Sequence, residues 1–77
     1  PQVLRNVRVS ESATLADSVR VWEEVSAIEQ RLADEGRVLV RASGTEPLIR
    51  VMVEAASRDD ANEMALHLCD VVRGELG

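Results

Sequence analysis

Arg41 to Arg50 reads R-A-S-G-T-E-P-L-I-R, and an apolar run flanks it on each side: Val38-Leu39-Val40 before, Ile49 to Val53 after. Ser43, Gly44, Thr45, Glu46 and Pro47 separate the two runs with almost no apolar content. A short break containing Gly and Pro between strand-like runs reads as a hairpin loop. Strand alternation puts Val38 and Val40 on one face and Arg37, Leu39 and Arg41 on the other; in the second run Ile49, Val51 and Val53 alternate with Leu48, Arg50, Met52 and Glu54. The all-apolar sets are expected to meet the helices. Arg41 and Arg50 then share the open face at the loop end.

The remaining elements follow by working outward. Gln2 to Val9 alternates as a strand, with Val3, Val7 and Val9 on one parity and Arg5 interrupting. From Leu15, apolar residues fall at 15, 19, 22, 25, 28 and 32, the spacing of one helical face. Thr14 is the expected N-cap, with Asp17 in the capping-box position, and Gly36 the expected left-handed stop. Trp22 lies on the apolar stripe and is expected in the core; Glu23, Glu24, Gln30 and Arg31 form a solvated outer face. Ser57 opens the last helix with Asp59 and Asp60 in its first turn. Ala61, Met64, Ala65, Leu68, Val71 and Val72 are its buried stripe, and Gly74 its expected fraying point. The order strand, helix, strand, strand, helix predicts an α+β two-layer sandwich: a mainly antiparallel sheet of three to four strands with both helices on one face.

Composition limits the functions available. Seventy-seven residues make one small domain, and the abrupt start at Pro1 reads as a cut at a domain boundary. The net charge of −5 disfavours general nucleic-acid binding, and all nine basic residues are arginine, which excludes a lysine-dependent Walker loop. Without Phe or Tyr, base-stacking platforms are not expected either. No run is long and apolar enough to span a membrane, and a reducing cytoplasmic setting fits the single cysteine, Cys69, which reads as a small buried hydrophobe. His67 stands without ligands around it and reads as a surface residue, so no metal site is expected.

The central loop is open to two readings. Gly and Pro occur in turns for backbone reasons alone, so S-G-T-E-P can be a plain turn. It can equally be a phosphate-binding loop: Ser43 and Thr45 bring hydroxyls, Gly44 permits close backbone approach, and Arg41 and Arg50 bring guanidinium forks.

The run from Arg41 to Ala55, R-A-S-G-T-E-P-L-I-R-V-M-V-E-A, resembles the C-terminal phosphate-binding segment of the α-D-phosphohexomutases, and most of all that of the bacterial phosphoglucosamine mutases. The opening P-Q-V-L-x-N-V-R-V is similar as well. The resemblance implies a TATA-binding-protein-like domain, the fourth of four in a larger enzyme that interconverts glucosamine 6-phosphate and glucosamine 1-phosphate through a phosphoserine and a bisphosphorylated sugar. It implies Arg41, Ser43, Gly44, Thr45 and Arg50 as contacts to the non-reacting phosphate, with Glu46 orienting an arginine or a backbone N–H and Pro47 stiffening the loop. Mg²⁺ is implied for the parent enzyme, bound by a domain outside these residues. The implied partners are the phosphosugar and the other domains. The phosphoserine loop, the magnesium motif and the sugar-reading loop are all missing from the sequence, so these 77 residues alone are expected to be inactive. Two alternatives stand beside this: a sibling phosphoglucomutase or phosphomannomutase, and a non-catalytic ferredoxin-like module that binds a partner through its sheet.

Overall fold

The computed structural model describes all 77 residues. Strand β1 (Gln2–Arg8) leads through a short 3-10 turn to helix α1 (Val19–Leu32); strands β2 (Arg37–Ala42) and β3 (Leu48–Glu54) form the hairpin, and helix α2 (Arg58–Leu76) closes the chain. The sheet has three strands in the order β1-β3-β2, and both pairings are antiparallel. Of the two hairpin strands, β3, the more apolar, takes the central place, and β2 lies at an edge. Helix α2 packs on β1 and β3, while α1 packs on β2 and on α2. One face of the sheet is therefore covered and the other open.

The covered face holds the core. Val3, Val7, Val38, Val40, Ile49, Val51 and Val53 all point into it and are buried. From α2, Ala61, Met64, Ala65, Leu68, Val71 and Val72 meet them, as the helical spacing requires, together with Cys69 and Leu76. Burial pushes the Cys69 thiol up, which keeps it protonated and unreactive. Arg5 shares the covered parity, but β1 is an edge strand, and its guanidinium reaches out to the Asn62 Oδ1 at 3.0 Å. No helix is long and apolar enough to cross a membrane.

The first helix departs from its expected start. Leu15–Asp17 forms a 3-10 turn, Ser18 is extended, and the cap is Ser18, whose hydroxyl accepts from the Val21 N–H; the Thr14 side chain caps nothing. That break resets the helical phase. Val21 is buried in place of Val19 and Trp22, which are 72% and 39% exposed. Trp22 lies instead over the 3-10 turn, its indole N–H donating to the Leu15 carbonyl at 3.0 Å.

The helix ends also differ from expectation. The left-handed residue after α1 is Ala33 (φ 50°), not Gly36, whose backbone is extended. Gly36 is needed for a different reason: a Cβ there would run into the Glu54 carbonyl of the neighbouring strand. Gly74 does not end α2, which continues to Leu76.

Candidate phosphate-binding site

Strand register fixes the geometry of the open face. Asn6, Arg50 and Arg41 stand directly opposite one another across the three strands, as do Leu4, Met52 and Leu39 one row further on. Arg41 and Arg50 are both exposed. Like charges directly opposite on adjacent strands destabilise a sheet by some tenths of a kcal/mol, so this placement works against the fold taken alone.

Most of the arginines have a partner. Arg5 donates to Asn62, and Arg20, Arg31, Arg37 and Arg73 pair with Glu24, Glu63, Glu54 and Asp70. Arg37 thus belongs to a different group from the loop arginines: it sits at the far end of β2 and is matched by Glu54 at 3.5 Å. Arg41 and Arg50 have neither an ion pair nor a side-chain hydrogen bond.

The hairpin tip presents donors beside them. The Ser43 N–H donates to the Leu48 carbonyl at 2.8 Å, and the Leu48 N–H to the Glu46 carbonyl at 2.7 Å, which closes the loop. The Val9 N–H donates to the Pro47 carbonyl at 2.8 Å and ties the tip to the end of β1. Between these closures, the N–H groups of Gly44, Thr45 and Glu46 have no acceptor in the chain, and all three residues are exposed. The hydroxyls of Ser43 and Thr45 are likewise unengaged. Gly44 has no left-handed φ, and open space lies where its Cβ would be. The fold itself does not require glycine there; close approach by something outside the chain would.

The structure brings Arg41 and Arg50 together and sets Ser43, Gly44 and Thr45 at the adjoining tip, but the two groups line different depressions. The arginines line a groove of about 310 Å³ on the open face, with Leu4, Leu39 and Met52 in its floor. The tip lines a cleft of about 390 Å³ on its other side, shared with Val9, Ser10, Glu11, Ala13 and Leu15. Glu46 contributes its backbone carbonyl to loop closure, and its carboxylate is in no ion pair. Pro47 anchors the tip through its carbonyl.

Reading the sequence residue by residue missed Arg8. It stands opposite Leu48, one row beyond Arg50 on the same face, and has no partner either. Only the β1–β3 register shows the proximity, because Arg8 and Arg50 are far apart in sequence. His67 lies elsewhere, on α2, with its Nε2 2.9 Å from a Glu24 carboxylate oxygen. Acidic, histidine and cysteine side chains nowhere converge in threes.

Known proteins resemble this chain in sequence and fold. The sequence profile of "Phosphoglucomutase/phosphomannomutase, C-terminal domain" matches residues 4–71. The phosphoglucosamine mutase of Thermobifida fusca is 55% identical over 76 residues, covering 99% of this chain and 17% of that protein. The chain therefore spans about a sixth of the length of the curated relatives it matches. Among solved structures, an Aspergillus fumigatus N-acetylphosphoglucosamine mutase in complex with GlcNAc-6P and magnesium superposes with a TM-score of 0.79 at 31% identity, covering 100% of this chain and 16% of that one. A variant of the same fungal enzyme in complex with glucose 1,6-bisphosphate superposes with a TM-score of 0.77 at 34% identity, over 96% of this chain and 15% of that one. The similarity runs through both helices and the hairpin with its loop, and the chain belongs to the phosphoglucomutase/phosphomannomutase C-terminal domain family.

Proposed function

We propose that residues 1–77 are the C-terminal, substrate-phosphate-binding domain of a four-domain cytoplasmic phosphoglucosamine mutase. The observation that carries this is the unpartnered Arg41–Arg50 pair beside three free N–H groups and two free hydroxyls. A phosphate dianion offers only acceptor oxygens and two negative charges, which is the complement of these cationic and donor groups. Arg41, Ser43, Gly44, Thr45 and Arg50 are its contacts. It approaches from the open-face side, because the cleft behind the tip carries the Glu11 carboxylate. Glu46 and Pro47 hold the loop in shape.

In this role the domain does no bond-making. It grips the phosphate that is not reacting, and that remote binding energy positions the other end of the sugar. Arginine forks, hydroxyls and backbone donors recognise a phosphate without reading the ring. One loop therefore serves both orientations of a bisphosphorylated intermediate. The phosphoserine and Mg²⁺ are assigned to the rest of the parent chain; magnesium, when bound there, stabilises charge on the phosphoryl group in transfer. The fungal neighbours' complexes with GlcNAc-6P, magnesium and glucose 1,6-bisphosphate support this reading. Glucosamine is favoured over glucose or mannose phosphates by the 55% identity to a relative named for it.

The test is an activity comparison. The full-length protein is expected to convert glucosamine 6-phosphate to glucosamine 1-phosphate with Mg²⁺ present, and residues 1–77 alone to convert none. A full-length protein that turns over glucose 6-phosphate far better would move the assignment to a sibling mutase. Turnover by the 77 residues alone would refute the division of labour.

A further inference from the structure

We infer that Arg8 is a third guanidinium of the phosphate site, holding the phosphate from the β1 side. This rests on the phosphate-binding role proposed for the loop. Val3 and Val7 are buried on the helix side of the sheet, so Leu4, Asn6 and Arg8 stand on the open face. Arg8 is opposite Leu48 and Asn6 opposite Arg50, which makes Arg8 the diagonal neighbour of Arg50, within reach of a long side chain. Arg50 is in turn opposite Arg41. Three arginines thus stand at one end of the open face, and none of them has a carboxylate partner.

That end of the face is anomalous in this chain. Acidic residues outnumber arginines by 14 to 9, and the fourth arginine of the open face, Arg37, is matched by Glu54. Uncompensated repulsion is concentrated at the one place where the loop offers free donors. A dianion placed there converts the repulsion into attraction for all three arginines. Arg8 is also tied to the loop: the next residue, Val9, donates to the Pro47 carbonyl at 2.8 Å and joins the end of β1 to the hairpin tip. Arg41 and Arg50 supply the β2 and β3 sides of the grip, and Arg8 supplies the third.

The test uses the full-length enzyme with glucosamine 6-phosphate, comparing Arg8→Gln, Arg8→Lys and Arg41→Gln. Arg8→Gln is expected to raise KM and lower kcat/KM by about tenfold, the loss of one charge-assisted contact. Arg8→Lys is expected to recover most of that, and the melting temperature to stay with the wild type in both. Full kcat/KM in Arg8→Gln alongside a large loss in Arg41→Gln would overturn the role of Arg8 and leave the loop assignment standing. Full activity in both glutamine variants would remove the loop assignment itself, and the inference with it. A loss in Arg8→Gln that tracks a lowered melting temperature and is not rescued by lysine would also overturn it, since that pattern is structural.

Discussion

Replacing Arg41 with alanine is expected to lower kcat/KM of the full-length enzyme for glucosamine 6-phosphate by about 10- to 100-fold, mainly by raising KM. The magnitude follows from a charge-assisted hydrogen bond, worth about 1.5–3 kcal/mol, at about 1.4 kcal/mol per tenfold. The loss falls on binding and positioning because Arg41 grips the end of the sugar that does not react. Stability should not suffer. Arg41 is exposed and has no partner in the chain, and its removal takes away the like charge facing Arg50. The melting temperature is therefore expected to hold or rise slightly. Steady-state kinetics with a thermal melt on the same sample checks both halves, and an unchanged kcat/KM would take Arg41 out of the site.

The largest effect on folding is expected at Leu68. Its side chain is fully buried between α2 and the sheet, and truncation of such a leucine to alanine costs about 2–5 kcal/mol because the cavity only partly collapses. A domain of this size has only about 4–12 kcal/mol to lose at about 0.05–0.15 kcal/mol per residue. Leu68→Ala should therefore lower the melting temperature of the domain by about 10 °C or more. Leu4→Ala is the comparison, since Leu4 is 70% exposed on the open face, and its effect should stay within about 0.5 kcal/mol. Circular dichroism melts of the two variants decide the matter: equal shifts would mean that the core does not lie where the sheet and helices place it.

The hairpin was fully legible in the sequence because two-residue alternation and a Gly-Pro break signal the same structure. Val38, Val40, Ile49, Val51 and Val53 are buried on one face, as the alternation predicts. Helix α2 was equally clear, since its cap at Ser57 and its stripe from Ala61 to Val72 agree. The start of α1 was not. Leu15, Val19 and Trp22 keep helical spacing across a segment whose backbone is broken at Ser18, and spacing alone carries no record of such a break. Gly36 has the sequence position of a helix stop, whereas the actual requirement is the approach of Glu54 from a strand distant in sequence.

The same limit applies to the site. The loop residues are contiguous, so Arg41, Ser43, Gly44, Thr45 and Arg50 could be picked out together. Arg8 could not, because its place depends on β1 pairing with β3. The isolation of the arginine pair was also hidden: Arg37 sits close to Arg41 in sequence, and only the register shows that Glu54 takes one and leaves the other free.

The most direct test of the phosphate site is an amide NMR titration of the domain with glucosamine 6-phosphate, with unphosphorylated glucosamine as the control. Gly44, Thr45 and Glu46 carry the free N–H groups, so their resonances, with those of Arg41, Ser43 and Arg50, should shift with the phosphorylated sugar and stay fixed with the control. If these six stay still at millimolar phosphosugar, or move equally with glucosamine, the loop does not recognise phosphate and is only the turn that joins β2 to β3.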